Sequence, residues 1–274
     1  MKKKIVVVAP TYNEEDNIEA FIKAVLLQQK RLSDYDLTVL ISDSHSSDKT
    51  GAIVGEIAVK SKNVYYLDVM KRGLGLGLSK GLNFAISKLK ADILVTMEAD
   101  LSCDPKQLPD FLATLQGRDV VLGSRYIVGG EITNWSWWRK ALSWQANLML
   151  RILAMSGNIH EFTNLYRVFT RPTWERINRR VSVHQGWIFV PAFVFEAIDS
   201  NLKIAEVPIV YFDRFGGRSK MKTISYTKNL LHYALRFRMK KEEYLVIFGV
   251  FFIFSLNNFS NFNIDLTGKI VEKI

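Results

Sequence analysis

Two carboxylates, Glu98 and Asp100, stand two residues apart where the apolar run "DILVTM" gives way to a loop and then to "DPKQLPDFLATL". The run has the length and composition of a buried strand, and the proline-led segment after it that of a helix start. Acids at such a strand end admit two readings. One is a polar strand end followed by a helix cap. The other is a clamp for a divalent cation carrying a phosphate, since hard cations take carboxylate oxygens. Four more polar loops follow apolar runs: "APTYNEED", "SDSHSSDKT", "KRGLGLGLSKG" and "GSRY". All five fall on the carboxyl edge of one predicted sheet, the edge where open α/β sheets hold ligands.

Gly73, Gly75 and Gly77 precede a predicted helix. Such glycines either let backbone N–H groups approach a phosphate or simply make a tight turn. They do not follow the first strand, and no G-x-G-x-x-G fingerprint occurs at "VVVAPTYNEE", which disfavours a dinucleotide site. The chain has no G-x-x-x-x-G-K-[ST], which removes a P-loop nucleotidase.

The elements that must position these residues alternate over the first 124 positions. Apolar strand runs ("KIVVVAP", "LTVLIS", "VYYLDV", "DILVTM", "DVVLGS") are separated by segments of helical periodicity. That pattern predicts an α/β fold with a mostly parallel sheet covered by helices on both faces. The opening "MKKKIVVVAPTYNEE" holds too short an apolar run for a signal peptide and reads as the first strand. The later part predicts a long helix over "WSWWRKALSWQANLMLRILAMSG" ended by Gly157, a short extended "TNLYRVFTR", a helix at "IFVPAFVFEAI" and a strand at "KIAEVPIVYFD".

Charge divides the chain. Residues 1–124 carry 16 Lys/Arg and 16 Asp/Glu, whereas residues 125–241 carry 19 and 7, in a protein of net charge +10. The basic second part suits an anionic partner: nucleic acid, a lipid surface or a phosphorylated substrate. Trp135, Trp137, Trp138 and Trp144 lie beside basic residues, as at a membrane interface, although a Trp-rich core would give the same cluster. The basic helix through Arg236, Arg238, Lys240 and Lys241 leads into the apolar "YLVIFGVFFIFSL", Tyr244 to Leu256. As a helix that segment spans roughly 20 Å, short of the ~30 Å of a bilayer core. It is expected to lie shallowly in an interface. The single cysteine, Cys103, excludes an internal disulfide and fits a reducing compartment.

In order along the chain, "PTYNEEDNI", "D…S.D.T", "GLG…G…A", "EAD" and "GSRYIVGG" resemble a family 2 glycosyltransferase of the GT-A nucleotide-diphosphosugar transferase fold. "GSRYIVGGEITNWSWWRKALSWQAN" and "EVPIVYFDRFGGRSKM" are similar to the polyprenyl-phosphate and dolichol-phosphate mannosyltransferases. The resemblance implies a GT-A domain over 1–223, followed at 224–274 by a basic amphipathic helix and a short apolar segment. It implies an inverting transfer of mannose from GDP-mannose to a polyprenyl (dolichyl) phosphate, with UDP-glucose or another nucleotide sugar as the alternative donor. Mg²⁺ or Mn²⁺ would be the cofactor, with Asp100, Glu98 and Ser102 as ligands. Pro10, Tyr12, Glu14, Asp43 and Ala99 would line the nucleotide-sugar site, with Asp48 supporting its loop. Arg125, Arg139 and Ser143 would hold the acceptor phosphate, and Arg214, Ser219 and Lys220 would close over the diphosphate. The chain departs from the family pattern at Ser44 and Glu98, where aspartates are usual, at Ser102 for a glutamine, and at Ala192 for a glutamate; Arg167 is kept.

The implied chemistry is consistent with these residue types. A departing nucleoside diphosphate gains negative charge, which a divalent cation, Arg214 and Lys220 can stabilise. A phosphomonoester acceptor is already anionic and needs guanidinium groups rather than a base. Arg139 and Ser143 are four apart on the predicted helix and share its face. The expected location is the cytoplasmic face of a membrane, held peripherally or shallowly through the C-terminus. A non-catalytic membrane-binding relative is the rival of another class. A nucleic-acid binder fits less well with clustered tryptophans and an apolar tail.

Overall fold

The computed structural model describes residues 2–213, 223–239, 262–264 and 270–272. They divide into two compact units, Met1–Thr227 and Lys228–Ile274.

In the first unit, β1 (Lys3–Thr11), α1 (Ile18–Leu27), β2 (Tyr35–Asp43), α2 (Thr50–Lys60), β3 (Val64–Asp68), α3 (Leu74–Ser87) and β4 (Ile93–Thr96) alternate regularly. Every residue from Ile5 to Ala9 in β1 is buried, as are all four of β4. A strand covered on both faces needs such an unbroken apolar run, and helical layers supply the cover. Gly81 lets α3 lie directly on the sheet: a Cβ there would stand 2.6 Å from Val8 Cγ1.

Beyond β4 the chain forms α4 (Leu108–Thr114), β5 (Val120–Ser124), β6 (Glu131–Ile132), α5 (Trp137–Leu153), β7 (Arg167–Thr170), α6 (Arg171–Val181), α7 (Phe189–Asp199), β8 (Ile204–Pro208) and β9 (Val210–Tyr211). The main sheet has seven strands in the order β3-β2-β1-β4-β7-β5-β8. The expected mostly parallel sheet is corrected here to a mixed one. β7 runs antiparallel to both β4 and β5, while β5 and β8 are parallel. A short buried run such as "RVFT" has the same apolar character in either direction, so composition could not report its sense. Because β7 reverses twice, β1, β2, β3, β4 and β5 still point the same way.

α5 ends at Leu153, earlier than Gly157. Ala154 is its C-cap, Met155 takes the left-handed turn at φ 50°, and the Arg151 guanidinium binds the Ser156 and Gly157 carbonyls. α8 (Thr223–Arg238) runs from the end of the first unit into the second, which also holds the antiparallel pair β10 (Phe262–Ile264) and β11 (Ile270–Glu272). The expected C-terminal membrane-associated helices are likewise corrected: among the described residues, no helix is long and apolar enough to cross a membrane. In α8, Leu230 and Ala234 are buried, but Lys228, His232, Arg236 and Arg238 interrupt its apolar sequence. The apolar segment 244–256 lies outside the described residues, as do Arg214, Ser219 and Lys220.

Candidate active site

The aligned ends of β1 to β4 open into one cleft. It is lined by Pro10, Thr11, Tyr12 and Glu14 after β1, Ser44 after β2, Lys71, Gly73 and Leu74 after β3, Glu98, Ala99 and Asp100 after β4, and Trp187 from the loop before α7.

Asp43 builds the wall without lining it. Its carboxylate is fully buried and accepts from Thr11 Oγ1 at 2.8 Å, Ser46 N at 2.9 Å, Ser46 Oγ at 2.6 Å and Tyr66 Oη at 3.1 Å. Burial, then the Asp43 charge, pushes the Tyr66 phenol well above its ordinary range. Asp48 accepts from Thr50 N and Oγ1 at 2.9 and 2.6 Å, and Thr50 Oγ1 in turn takes Glu14 N at 2.8 Å. These bonds lock the β1 and β2 loops together, so Pro10, Tyr12 and Glu14 are presented on a fixed backbone. Lys71 closes that end: its Nζ lies 3.9 Å from the Tyr12 ring centroid and donates to the Tyr12 hydroxyl.

At the β4 end the two readings of the acids separate. The helix-cap role belongs to Asp104, which accepts from Lys106 N at 2.9 Å ahead of the short turn Pro105–Gln107. Glu98 and Asp100 instead face the cleft. Leu101 turns the backbone at φ 59°, and Ser102 N donates to Asp100 Oδ1 at 3.1 Å. Burial and then the neighbouring Asp100 charge push Glu98 up to about 7. Two like-charged carboxylates suit a hard cation, and so does the Ser102 hydroxyl, which is buried with no hydrogen-bond partner among the described residues. Among the described residues no group of three His, Cys, Asp or Glu is placed to hold a metal. The set therefore fits an ion that takes its remaining ligands from phosphate and water, as Mg²⁺ commonly does.

The glycines resolve differently from a phosphate cradle. A Cβ on Gly75 would lie 2.1 Å from His184 O, and one on Gly73, at φ 98°, 2.8 Å from Gln185 O. Their missing side chains admit the backbone of the 184–186 loop; Gly77 has only ordinary contacts.

A second polar cluster follows β5. Arg125 is buried and makes a two-pronged pair with Glu161, Nε to Oε2 at 2.7 Å and Nη2 to Oε1 at 2.8 Å; Nη2 also reaches Thr163 Oγ1 at 2.7 Å. Burial is the largest single influence and favours the neutral forms of both groups, but the partner's charge and the hydrogen bonds together outweigh it, holding Glu161 below and Arg125 above the ordinary range. Ser143 accepts from Tyr126 Oη at 2.6 Å. Arg139, 41% exposed, stacks on Trp135 at 3.6 Å from the ring centroid and reaches Asp213 Oδ1 only at 3.5 Å. The cluster connects to the cleft. Trp135 meets Tyr211 edge-on at 5.6 Å, Tyr211 bridges Cys103, and Phe212 N donates to Ser102 O at 2.9 Å. Arg167 is fully buried and donates to the Val190 and Phe162 carbonyls at 2.6 and 3.0 Å; burial lowers it to about 10.

Sequence reasoning missed Lys71, Ser44, Trp187 and Glu161 as site residues. Lys71 and Ser44 sit inside loops the pattern did mark, whereas Trp187 and Glu161 carry no local signal.

The sheet order, the cleft at the carboxyl edge and the carboxylates at its centre coincide with a match to the model of Glycosyl transferase family 2 over residues 6–180. The chain belongs to glycosyl transferase family 2. It is 32% identical to the polyprenol monophosphomannose synthase of Mycolicibacterium smegmatis, over 80% of this chain and 81% of the relative. It is 33% identical to the undecaprenyl-phosphate mannosyltransferase of Micrococcus luteus, over 80% and 87%. Among solved structures it resembles glucosyl-3-phosphoglycerate synthase from Mycobacterium tuberculosis in complex with Mn²⁺, UDP and phosphoglyceric acid, with a TM-score of 0.62, 19% identity and coverage of 86% and 78%. The same enzyme with Mn²⁺ and UDP-glucose matches at a TM-score of 0.60 and 20% identity, covering 86% and 79%. These likenesses establish the GT-A-type fold. Family membership makes this chain a glycosyltransferase by kind. The expectation of GDP-mannose and dolichol phosphate in particular is corrected to its coarser part: these two solved structures hold UDP or UDP-glucose, and the two relatives are named for polyprenol and undecaprenyl phosphate. A cleft end made of Pro10, Tyr12 and Lys71 offers stacking and charge, which do not separate guanine from uracil.

Proposed function

We propose that this enzyme transfers a hexose from a nucleotide sugar, UDP-glucose or another, to a polyprenyl phosphate at the cytoplasmic surface of a membrane. The observation that carries the reading is the run of contacts from the Asp100–Ser102 turn through Tyr211 and Trp135 to Arg139. This run of contacts links the partly exposed Arg139 guanidinium to the turn that follows Asp100 and supports reading it as the acceptor end. The relatives named for polyprenol and undecaprenyl phosphate chemistry support this acceptor class.

Pro10, Tyr12 and Glu14 hold the nucleotide, and Lys71 adds a positive charge at the same end. Asp100, Glu98 and Ser102 would hold a divalent cation, Mn²⁺ or Mg²⁺, which would supply positive charge for the departing diphosphate. Arg139 binds the acceptor phosphate, which displaces the weak Asp213 contact. Ser143, oriented by Tyr126, lies one turn along the same helix. Arg125, clamped by Glu161, lies 5.9 and 5.1 Å from the ring centroids of Trp135 and Tyr211. A phosphate oxygen is anionic at neutral pH, so it attacks the anomeric carbon directly, and the product inverts. The exposed Trp137, Trp138, Trp144 and Ile152 of α5, interspersed with Arg139, Lys140 and Arg151, provide the membrane-facing surface.

The test is a panel of UDP- and GDP-hexoses with a short-chain polyprenyl phosphate and Mn²⁺. The expected result is one preferred donor and an alkali-stable, acid-labile lipid phosphosugar of inverted configuration. No lipid-linked product with any donor would overturn the reading.

A further inference from the structure

We infer that Trp187 is the donor-sugar platform of this enzyme and that Gly73 and Gly75 exist to seat it. The inference rests on the proposed nucleotide-sugar reaction and assigns a part of that same cleft. Trp187 is an indole left 38% exposed, although its neighbours Phe189 and Val190 are buried. Partly exposed, it lines the same cleft as Glu98, Ala99 and Asp100 and brings an indole to the space those carboxylates border. The nucleotide end is furnished from a different quarter, by the β1 loop and by Lys71 stacked on Tyr12. Beyond its diphosphate the donor carries a pyranose, whose axial C–H groups make one apolar face. An aromatic ring is the side chain that matches such a face, because its π-cloud is negative and its area large.

The position of the indole is built by the glycines. Leu76 N donates to Gln185 O at 3.1 Å, and Phe189 N and Val190 N donate to Gly186 O and Trp187 O, each at 3.2 Å. These bonds pin the 184–187 turn between the start of α3 and the start of α7. A Cβ on Gly75 would meet His184 O at 2.1 Å, Phe189 Cβ at 2.8 Å and Gly186 O at 2.9 Å. Two of those three contacts are backbone, so no rotamer change relieves them. The turn must move, and Trp187 moves with it. Gly77, at van der Waals distance from its surroundings, has no such role.

The experiment compares the full chain with Trp187→Ala, Trp187→Phe, Gly75→Ala and Gly77→Ala. Calorimetry with Mn²⁺ uses UDP against UDP-glucose, and GDP against a GDP-hexose. Trp187→Ala should weaken the nucleotide sugar about tenfold, a loss of about 1.4 kcal/mol, and leave the bare nucleoside diphosphate within about twofold. Trp187→Phe should recover most of the loss. Gly75→Ala should reproduce Trp187→Ala, and Gly77→Ala should resemble the parent; thermal melts confirm that each variant is folded. Equal losses for the diphosphate and its sugar would place Trp187 on the nucleotide and overturn the assignment, as would no loss for either. If Gly75→Ala unfolds, the Trp187 pair still decides the platform. If the parent binds neither a diphosphate nor a nucleotide sugar, the proposed function itself fails, an outcome distinct from the others.

Discussion

The cleft at the ends of β1–β4 and the arginine cluster between β5 and α5 use similar polar residues in opposite ways. Around the cleft, Asp43, Asp48 and Asp104 are taken up by loop and cap hydrogen bonds, whereas Glu98 and Asp100 line the open space itself. In the cluster, the buried acid Glu161 is matched to Arg125 by two short bonds, and the exposed cation, Arg139, is the one lightly engaged. The proposed function draws on the groups that line open space or keep solvent exposure, not on those the fold has built into its loops and core. Arg125 and Arg139, both in the basic part of the chain, thus stand in different surroundings although they are the same residue type.

Asp100→Asn gives the largest test. It should lower transfer by at least about a hundredfold with little change in thermal stability, because a cleft-lining group is lost rather than a strut. Full activity of this variant at saturating Mn²⁺ would erase the contrast with Asp43, whose replacement should instead unfold the loop network.

Glu161→Gln should destabilise the chain by about 3–5 kcal/mol in urea, since it leaves the Arg125 charge buried without its partner. The effect depends on pH. Glu161 titrates below 4.5 when folded, so its contribution is present above pH 4.5 and is lost as pH falls through the lower folded value. The parent should therefore lose more stability on acidification than Glu161→Gln. Parallel curves would mean that the pair contributes nothing.

Arg139→Ala should raise the acceptor KM or lower kcat by about ten- to a hundredfold, the worth of a charge-assisted contact, while leaving donor affinity and the melting temperature nearly unchanged. Arg139→Lys should stay impaired, because an ammonium cannot supply the paired guanidinium bonds. Unaltered acceptor kinetics would show that exposure alone does not mark the acting arginine.

The smallest effect expected is on Glu98. Its folded value of about 7 lies above 4.5, so its contribution is fully present below pH 4.5 and is lost as pH rises through about 7. In chelator, Glu98→Gln should gain melting temperature over the parent at pH 8 and little at pH 5, and Mn²⁺ should narrow the gap. An equal gain at both values would mean that the carboxylates do not repel each other in the cleft.

Much of the fold was legible because a doubly covered strand needs an unbroken apolar run, which "KIVVVAP" and "DILVTM" show directly. The polar loops after β1 to β4 could be assigned to one edge, since parallel strands end on the same side. Glu98 and Asp100 were visible as a pair for the same reason: two residues at one strand end stay neighbours in any fold of that strand. Contacts between distant segments had no such local mark. The sense of β7, the match of Glu161 to Arg125, the saturation of Asp43 and the seat of Trp187 on Gly75 each join parts of the chain that only folding brings together. Residue type alone marked arginines and acids of the kinds a phosphosugar site uses, and glycines whose purpose it left open. Only the tertiary structure decided which are balanced and which are available, because burial and pairing set the energy of a charge, and both are properties of the packed chain.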